Sequence, residues 1–213
     1  MLRVWLARHG ETDWNRRRRL QGRLNVPLNS TGWAQASQLA KRLATVEIDA
    51  IYTSCLGRSM QTASALQGRA TRLPLSGLDE RGLGVFEGCV LDGRAPELED
   101  AYRRRSADPE DRLDGGESWV DHGERVWVTF EMLRARHAEG NIVVVGHGGT
   151  NRAILRRLLD LGYEQAQRQY RQRNGEVYLI EVPASGKARV WTGFERGEGD
   201  QAGCKSSSSA RES

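Results

Sequence analysis

The chain has 213 residues, 38% hydrophobic and 28% charged, with a formal net charge of +4. That length suits one α/β domain with a sizeable core, and so slight a positive balance favours anionic partners without marking a nucleic-acid binder. No apolar run approaches the roughly 18 residues of a membrane span.

The N-terminal stretch from Met1 to Ala7 is too short for the apolar core of an export signal. Cys55, Cys89 and Cys204 are odd in number and widely spaced, with no metal-ligand pattern. A reducing cytoplasm is the expected compartment.

The chain opens on an apolar strand over 2–8, followed by a polar loop over 10–29. A helix from about Thr31 to Leu43 is predicted, capped by Asn29, Ser30 or Thr31, with Trp33, Ala36, Leu39, Ala40 and Leu43 as its apolar stripe. Asp49–Thr53 reads as a second strand, and Ser54 or Gly57 opens a helix to about Leu66. Leu73-Pro74-Leu75 is a weak third strand. The stretch 77–116 reads as loops with one short helix near 96–105.

A long helix from Glu117 to about His137 places Val120, Val126, Val128, Phe130 and Leu133 on its apolar positions, with His122 and His137 expected at the surface. Asn141–Gly146 is the clearest buried strand, and a helix follows from about Thr150 to Leu161. Two final strands are expected over 176–182 and 187–192, around Ala184-Ser185-Gly186. From Gly197 onward, Gly, Ser and charge cannot build a core, so 1–196 is expected to be the domain and 197–213 a disordered tail. This alternation predicts an α/β fold: a mostly parallel central sheet of about six strands with helices on both faces.

His9 follows the first strand and His147 follows the strand 142–146, within Gly146-His147-Gly148-Gly149. In open α/β sheets ligands bind at that strand end. The glycines after each histidine, Gly148 among them, let backbone N–H groups approach a ligand, beside a helix N-terminus. Arg8 precedes His9, Arg58 lies one turn into the helix after the second strand, and Glu80 follows the third. The run Arg16–Arg19 reads as a solvated loop that could steer an anion.

Two chemistries fit this set. In one, His9 and His147 with Glu11 or Asp13 hold a divalent metal; in the other, a histidine attacks a phosphoryl group while arginines hold its oxygens. The arginines decide: they oppose a cation, whereas charge on phosphoryl oxygens requires them, and a protonated His147 would add to it. No metal and no cofactor are therefore expected.

Arg8-His9-Gly10-Glu11-Thr12 with Trp14-Asn15 resembles the signature of the histidine phosphatase superfamily, in the branch of the cofactor-dependent phosphoglycerate mutases and their phosphatase relatives. The resemblance continues, in the family's order, through Gln21-Gly22, Pro27-Leu28-Asn29, Ser54–Arg58, Leu78-Asp79-Glu80-Arg81, Gly115–Ser118 and Val145–Gly149. It implies that His9 is the nucleophile that becomes phosphohistidine and that Arg8, Arg58 and His147 hold the phosphoryl group. It also implies that Asn15, Gln21 and Gly22 touch substrate or phosphate, and that Glu80 is the general acid, its pKa raised by burial.

The segment between Glu80 and Gly115 is shorter than the mutase insertion, and Asn25 stands where an aspartate is common. Arg81 is more mutase-like, and Arg103-Arg104-Arg105 is the segment's sole basic cluster. The balance favours a phosphatase acting on a small phosphorylated metabolite, with a mutase-type phosphotransferase as the alternative. A pocket that binds without turnover and a nucleic-acid binder using Arg16–Arg19 are weaker rivals. No nucleic-acid or membrane partner is expected, and the resemblance allows a homodimer.

Overall fold

Strand alternation builds two cores. In β1 (Leu2–Arg8), Val4 and Leu6 point to one side of a central sheet and Trp5 and Ala7 to the other. In β4 (Gly140–Gly146), Ile142 and Val144 join the first side, and Val143 and Val145 the second. Both faces are thus buried, as a sheet clothed by helices requires.

The computed structural model describes residues 1–192. With β2 (Ala50–Thr53), β3 (Thr71–Pro74), β5 (Val177–Val182) and β6 (Arg189–Trp191), the sheet runs β3-β2-β4-β1-β5-β6. The first four strands are parallel; β5 is antiparallel to β1, and β6 to β5. The expected mostly parallel six-stranded sheet is what forms.

Helices α2 (Ser30–Arg42) and α3 (Gly57–Ser64) cover one face through Leu39 and Ala63. Helices α5 (Trp119–Arg136) and α6 (Gly148–Leu158) cover the other through Val126, Phe130, Leu133 and Ile154. Asn29 caps α2 by accepting from Gly32 N–H, and Ser118 caps α5 by accepting from Asp121 N–H.

Register fixes the site. Arg8 lies opposite Gly146 and Thr53 opposite Val145, so His9, Ser54 and His147 leave the sheet together at one edge. Over that edge a third small cluster, Leu83, Phe86 and Leu113 packed by Leu20, Ala101 and Tyr102, ties 77–116 to the loop after β1.

Several expectations shift. The polar loop 10–29 contains a helical turn, α1 (Asp13–Arg16), closed by a capping box between Thr12 and Asn15. The short helix near 96–105 is α4 (Pro96–Ala107), and α7 (Tyr163–Gln169) was not expected. Trp33 is exposed rather than on the apolar stripe, because the first turn of α2 lies backbone against backbone on Gly10, leaving no room for a side chain. Val120 and Val128, expected on the apolar positions of the long helix, are also exposed.

The largest correction concerns histidines: His122 is fully buried, and His137 is half-buried with its Nε2 2.7 Å from the Tyr52 hydroxyl. The expected tail, 197–213, lies outside the described residues.

Candidate active site

A cavity of about 420 Å³ opens at the shared strand edge. Arg8, His9, Asn15, Gln21, Gly22, Arg58, Glu80 and Gly148, all expected from sequence, line it. His147 is the exception: it is fully buried behind His9, with ring centroids 5.1 Å apart.

Hydrogen bonds fix the imidazoles. His9 Nδ1 lies 2.7 Å from the Gly10 carbonyl oxygen and so must be the donor, which leaves Nε2 as an unprotonated lone pair. Arg58 Nε donates to His147 Nδ1 at 3.3 Å, so the proton of His147 sits on Nε2, 2.7 Å from Ser54 Oγ. Burial first, then Arg58 and Arg8, hold the His9 pKa well below its ordinary value. Burial, Arg58, His9 and Arg8 do the same to His147. His147 therefore adds no positive charge, as it would if protonated: burial, and then the nearby arginines, keep it neutral.

The arginines are anchored through carbonyls. Arg58 donates to Leu24 O and Gly22 O at 2.8 Å each, and Gly22 turns that carbonyl inward with φ +50°, a conformation suited to glycine. Arg8 Nη1 donates to Gln172 O at 2.7 Å, while its buried Nε has no partner among the described residues. Among the described residues neither guanidinium has a carboxylate within salt-bridge distance, so the cavity keeps its positive charge for an anion.

Asn15 Oδ1 accepts from Thr12 N and Oγ1 and from Asn174 Nδ2, whose other contact is the His9 carbonyl. Gln21 Oε1 accepts from Thr12 Oγ1 at 3.0 Å. Of the Arg16–Arg19 run, Arg19 reaches the cavity rim, 4.2 Å over the Trp14 ring. The carboxylates of the metal reading have other partners: Glu11 accepts from Asn29, and Asp13 pairs with Arg16 at the surface.

Glu80 accepts from Gly149 N–H at 3.0 Å and from Arg81 N–H at 2.9 Å. Burial pushes its carboxyl up, but His122, those two N–H donors and Arg152 together hold it below the ordinary carboxylate value. The upward shift expected from burial is thus reversed, because the carboxylate is hydrogen-bonded as well as buried.

Sequence reasoning missed His122. Its Nε2 lies 3.7 Å from Glu80 Oε1 and 3.4 Å from Thr150 Oγ1, and burial lowers its pKa to about 4. The signal was its position: 122, 126, 130 and 133 share one helical face with Val126, Phe130 and Leu133. Arg152 and Trp119, also unforeseen, line the same cavity.

A model of the histidine phosphatase superfamily (branch 1) matches residues 4–193. The chain belongs to that superfamily. A relative described as probable phosphoglycerate mutase GpmB of Yersinia pestis is 34% identical over 189 residues, 87% of each chain.

Among solved structures, this histidine phosphatase superfamily member is similar to Bacillus stearothermophilus YhfR, with 30% identity, TM-score 0.78 and coverage of 90% and 96% of the two chains. It is also similar to the mycobacterial glucosyl-3-phosphoglycerate phosphatase complexed with VO3, with 28% identity, TM-score 0.79 and coverage of 89% and 97%. A putative alpha-ribazole-5'-P phosphatase from Escherichia coli matches with 25% identity, TM-score 0.82 and coverage of 94% and 99%. By family and fold it is an enzyme of the histidine phosphatase superfamily, with phosphatases among its structural neighbours.

Proposed function

We propose that the protein is a metal-independent phosphomonoesterase that hydrolyses a small phosphorylated metabolite, in the cytoplasm, through phosphohistidine at His9. One observation carries this reading. His9 Nε2 is left unprotonated at the edge of a cavity that also presents Arg8, Arg58 and the Glu80 carboxyl.

His9 Nε2 attacks phosphorus in line, forming the N–P bond as the ester P–O bond breaks. The Nδ1–H that faces the Gly10 carbonyl steadies the positive charge that grows on the ring. Arg8 and Arg58 hold the phosphoryl oxygens, joined by Asn15 and by backbone at Gly22 and Gly148. His147, neutral and behind the nucleophile, positions Arg58 through its Nδ1. Glu80 gives its proton to the leaving oxygen, then takes one from the water that forms the new P–O bond and releases His9.

Glu80 is held below the ordinary carboxylate value and so is ionised near neutral pH, and its proton must arrive with substrate. A phosphoryl group brings negative charge beside the carboxylate and raises its pKa. A substrate bound as the monoanion supplies the proton directly.

Water, rather than a second substrate oxygen, is the acceptor in this reading, because Arg81, Arg103 and Arg105, the cations of the segment between Glu80 and Gly115 that a mutase reading draws on, are engaged within the protein. Arg81 is buried, donating to Glu117 O and Asp111 O at 2.7 and 2.9 Å. Arg103 pairs with Glu99 and Asp100, and Arg105 with Asp111 and Asp114.

The test is phosphate release from a panel of phosphomonoesters with chelator present, wild type beside His9→Ala. Turnover that survives chelator and vanishes in the variant is expected. Loss of activity on chelation, or activity retained by His9→Ala, overturns the reading.

A further inference from the structure

Beside the phosphoryl cavity, sharing Trp119 and Gly149 with it as walls, lies a second cavity of about 310 Å³ lined by α6 and α7. Arg152 lines both cavities. Arg156, one turn further along α6, lines only the second, with its guanidinium 4.1 Å from the Tyr163 ring.

These two arginines differ from most others in the described chain. Among the described residues neither donates a side-chain hydrogen bond or forms an ion pair, and Arg156 Nε is buried without a partner. The carboxylate in the second cavity, Glu164, is exposed and already paired with Arg168 at 3.1 Å. Arg152 also adjoins the phosphoryl pocket: a side chain added at Gly148 would touch both the Arg8 and the Arg152 guanidinium, at 3.6 and 3.8 Å. Arg152 feels the Glu80 carboxylate only through space, and Arg156 has an unpartnered buried Nε among the described residues; half-buried cations without a bonded acceptor are costly unless an anion arrives.

We propose that Arg152 and Arg156 form a second anion site that holds a carboxylate or a second phosphate carried by the departing alcohol. This rests on the phosphomonoesterase reading above and adds its substrate class: a leaving group with its own negative charge, reaching from the ester oxygen past Arg152 toward Arg156. Trp119 and Tyr163 give the site flat aromatic walls.

Two matched pairs of probes test it. 3-Phosphoglycerate against glycerol 3-phosphate varies a carboxylate; propane-1,3-diol bisphosphate against 3-hydroxypropyl phosphate varies a phosphate. Wild type is expected to favour the charged member of at least one pair by about ten-fold in kcat/KM, the worth of one charge-assisted hydrogen bond. The pair that responds names the anion. Arg152→Gln and Arg156→Gln should each bring that ratio toward one, and Arg156→Lys should restore part of it.

A wild-type ratio near one on both pairs, or a ratio that survives both Gln variants, overturns the proposal. Hydrolysis of p-nitrophenyl phosphate separates the two levels. If wild type cleaves it without any charge preference among the pairs, only the second site falls; if wild type cleaves no phosphomonoester at all, the parent reading falls with it.

Discussion

His122 Nε2 lies 3.7 Å from Glu80 Oε1, with Thr150 Oγ1 as its second neighbour. Thr150 gives its own hydroxyl proton to the Asp79 carbonyl, so its oxygen can only accept. The His122 proton therefore sits on Nε2, directed at Thr150 with Glu80 Oε1 just beyond hydrogen-bond reach, while Nδ1 is buried without a partner among the described residues. This is a neutral dipole aimed at the proposed general acid, not an ion pair, since burial lowers the His122 pKa to about 4.

Replacing that dipole with an apolar side chain of similar size, His122→Leu, should raise the Glu80 pKa, because desolvation remains while a favourable through-space interaction is lost. If Glu80 must be protonated to act, the alkaline limb of kcat/KM should move up by roughly half to one pH unit. A pH–rate profile of the variant beside wild type, with folding checked by circular dichroism, reads this directly. An unmoved limb would mean that His122 is only packing.

The buried histidines also make stability depend on pH. His9, His122 and His147 have folded pKa values below the ordinary 6.5, so the unfolded chain binds more protons than the folded one once pH falls below that value. Stability is fully present above about pH 6.5 and declines below it, by up to about 1.4 kcal/mol per pH unit for each histidine. For His122 the decline ends near pH 4. Denaturant midpoints measured between pH 7 and 5 should fall steadily, and His122→Leu should lessen the slope by one proton. A flat profile would contradict the buried neutral state.

Arg8 and Arg58 both depress the His9 pKa, after burial itself. Removing one cation should raise that pKa and make the nucleophile easier to protonate. In Arg8→Met the acid limb of kcat/KM should therefore shift upward, while kcat/KM at pH 7 falls through the lost phosphoryl contact. Arg8 suits this test better than Arg58, whose Leu24 and Gly22 contacts hold the loop. A large loss of rate with no movement of the acid limb would assign Arg8 to binding alone.

The sheet was legible because its central strands are apolar runs ending in chemistry-bearing residues, Val4–His9 and Ile142–His147, and register then places both ends side by side. The cavity members carried by those ends, Arg8, His9 and Gly148, follow from that alone; Arg58 and Glu80 follow from their places after the second and third strands, and only their roles needed the family pattern. The region around α7 and the capped turn α1 were hidden, since seven and four residues are too few for a clear period. His122 was read by its polarity rather than its place on the helix face. The sign of the Glu80 shift depends on backbone N–H groups that no side-chain pattern displays.

Those N–H groups shape the last prediction. Glu80→Gln keeps the size of the side chain but removes the proton that the leaving oxygen requires. Poor leaving groups depend most on that proton, so alkyl phosphates should lose about 100-fold or more in kcat/KM, while p-nitrophenyl phosphate, whose phenolate leaves unaided, should lose much less. The amide also lacks the charge that orders Gly149 and Arg81 N–H, so a modest loss common to all substrates should accompany it. The decisive quantity is the difference between the two classes of ester. An equal loss across both would leave Glu80 as a positioning residue and require the proton from elsewhere in the cavity.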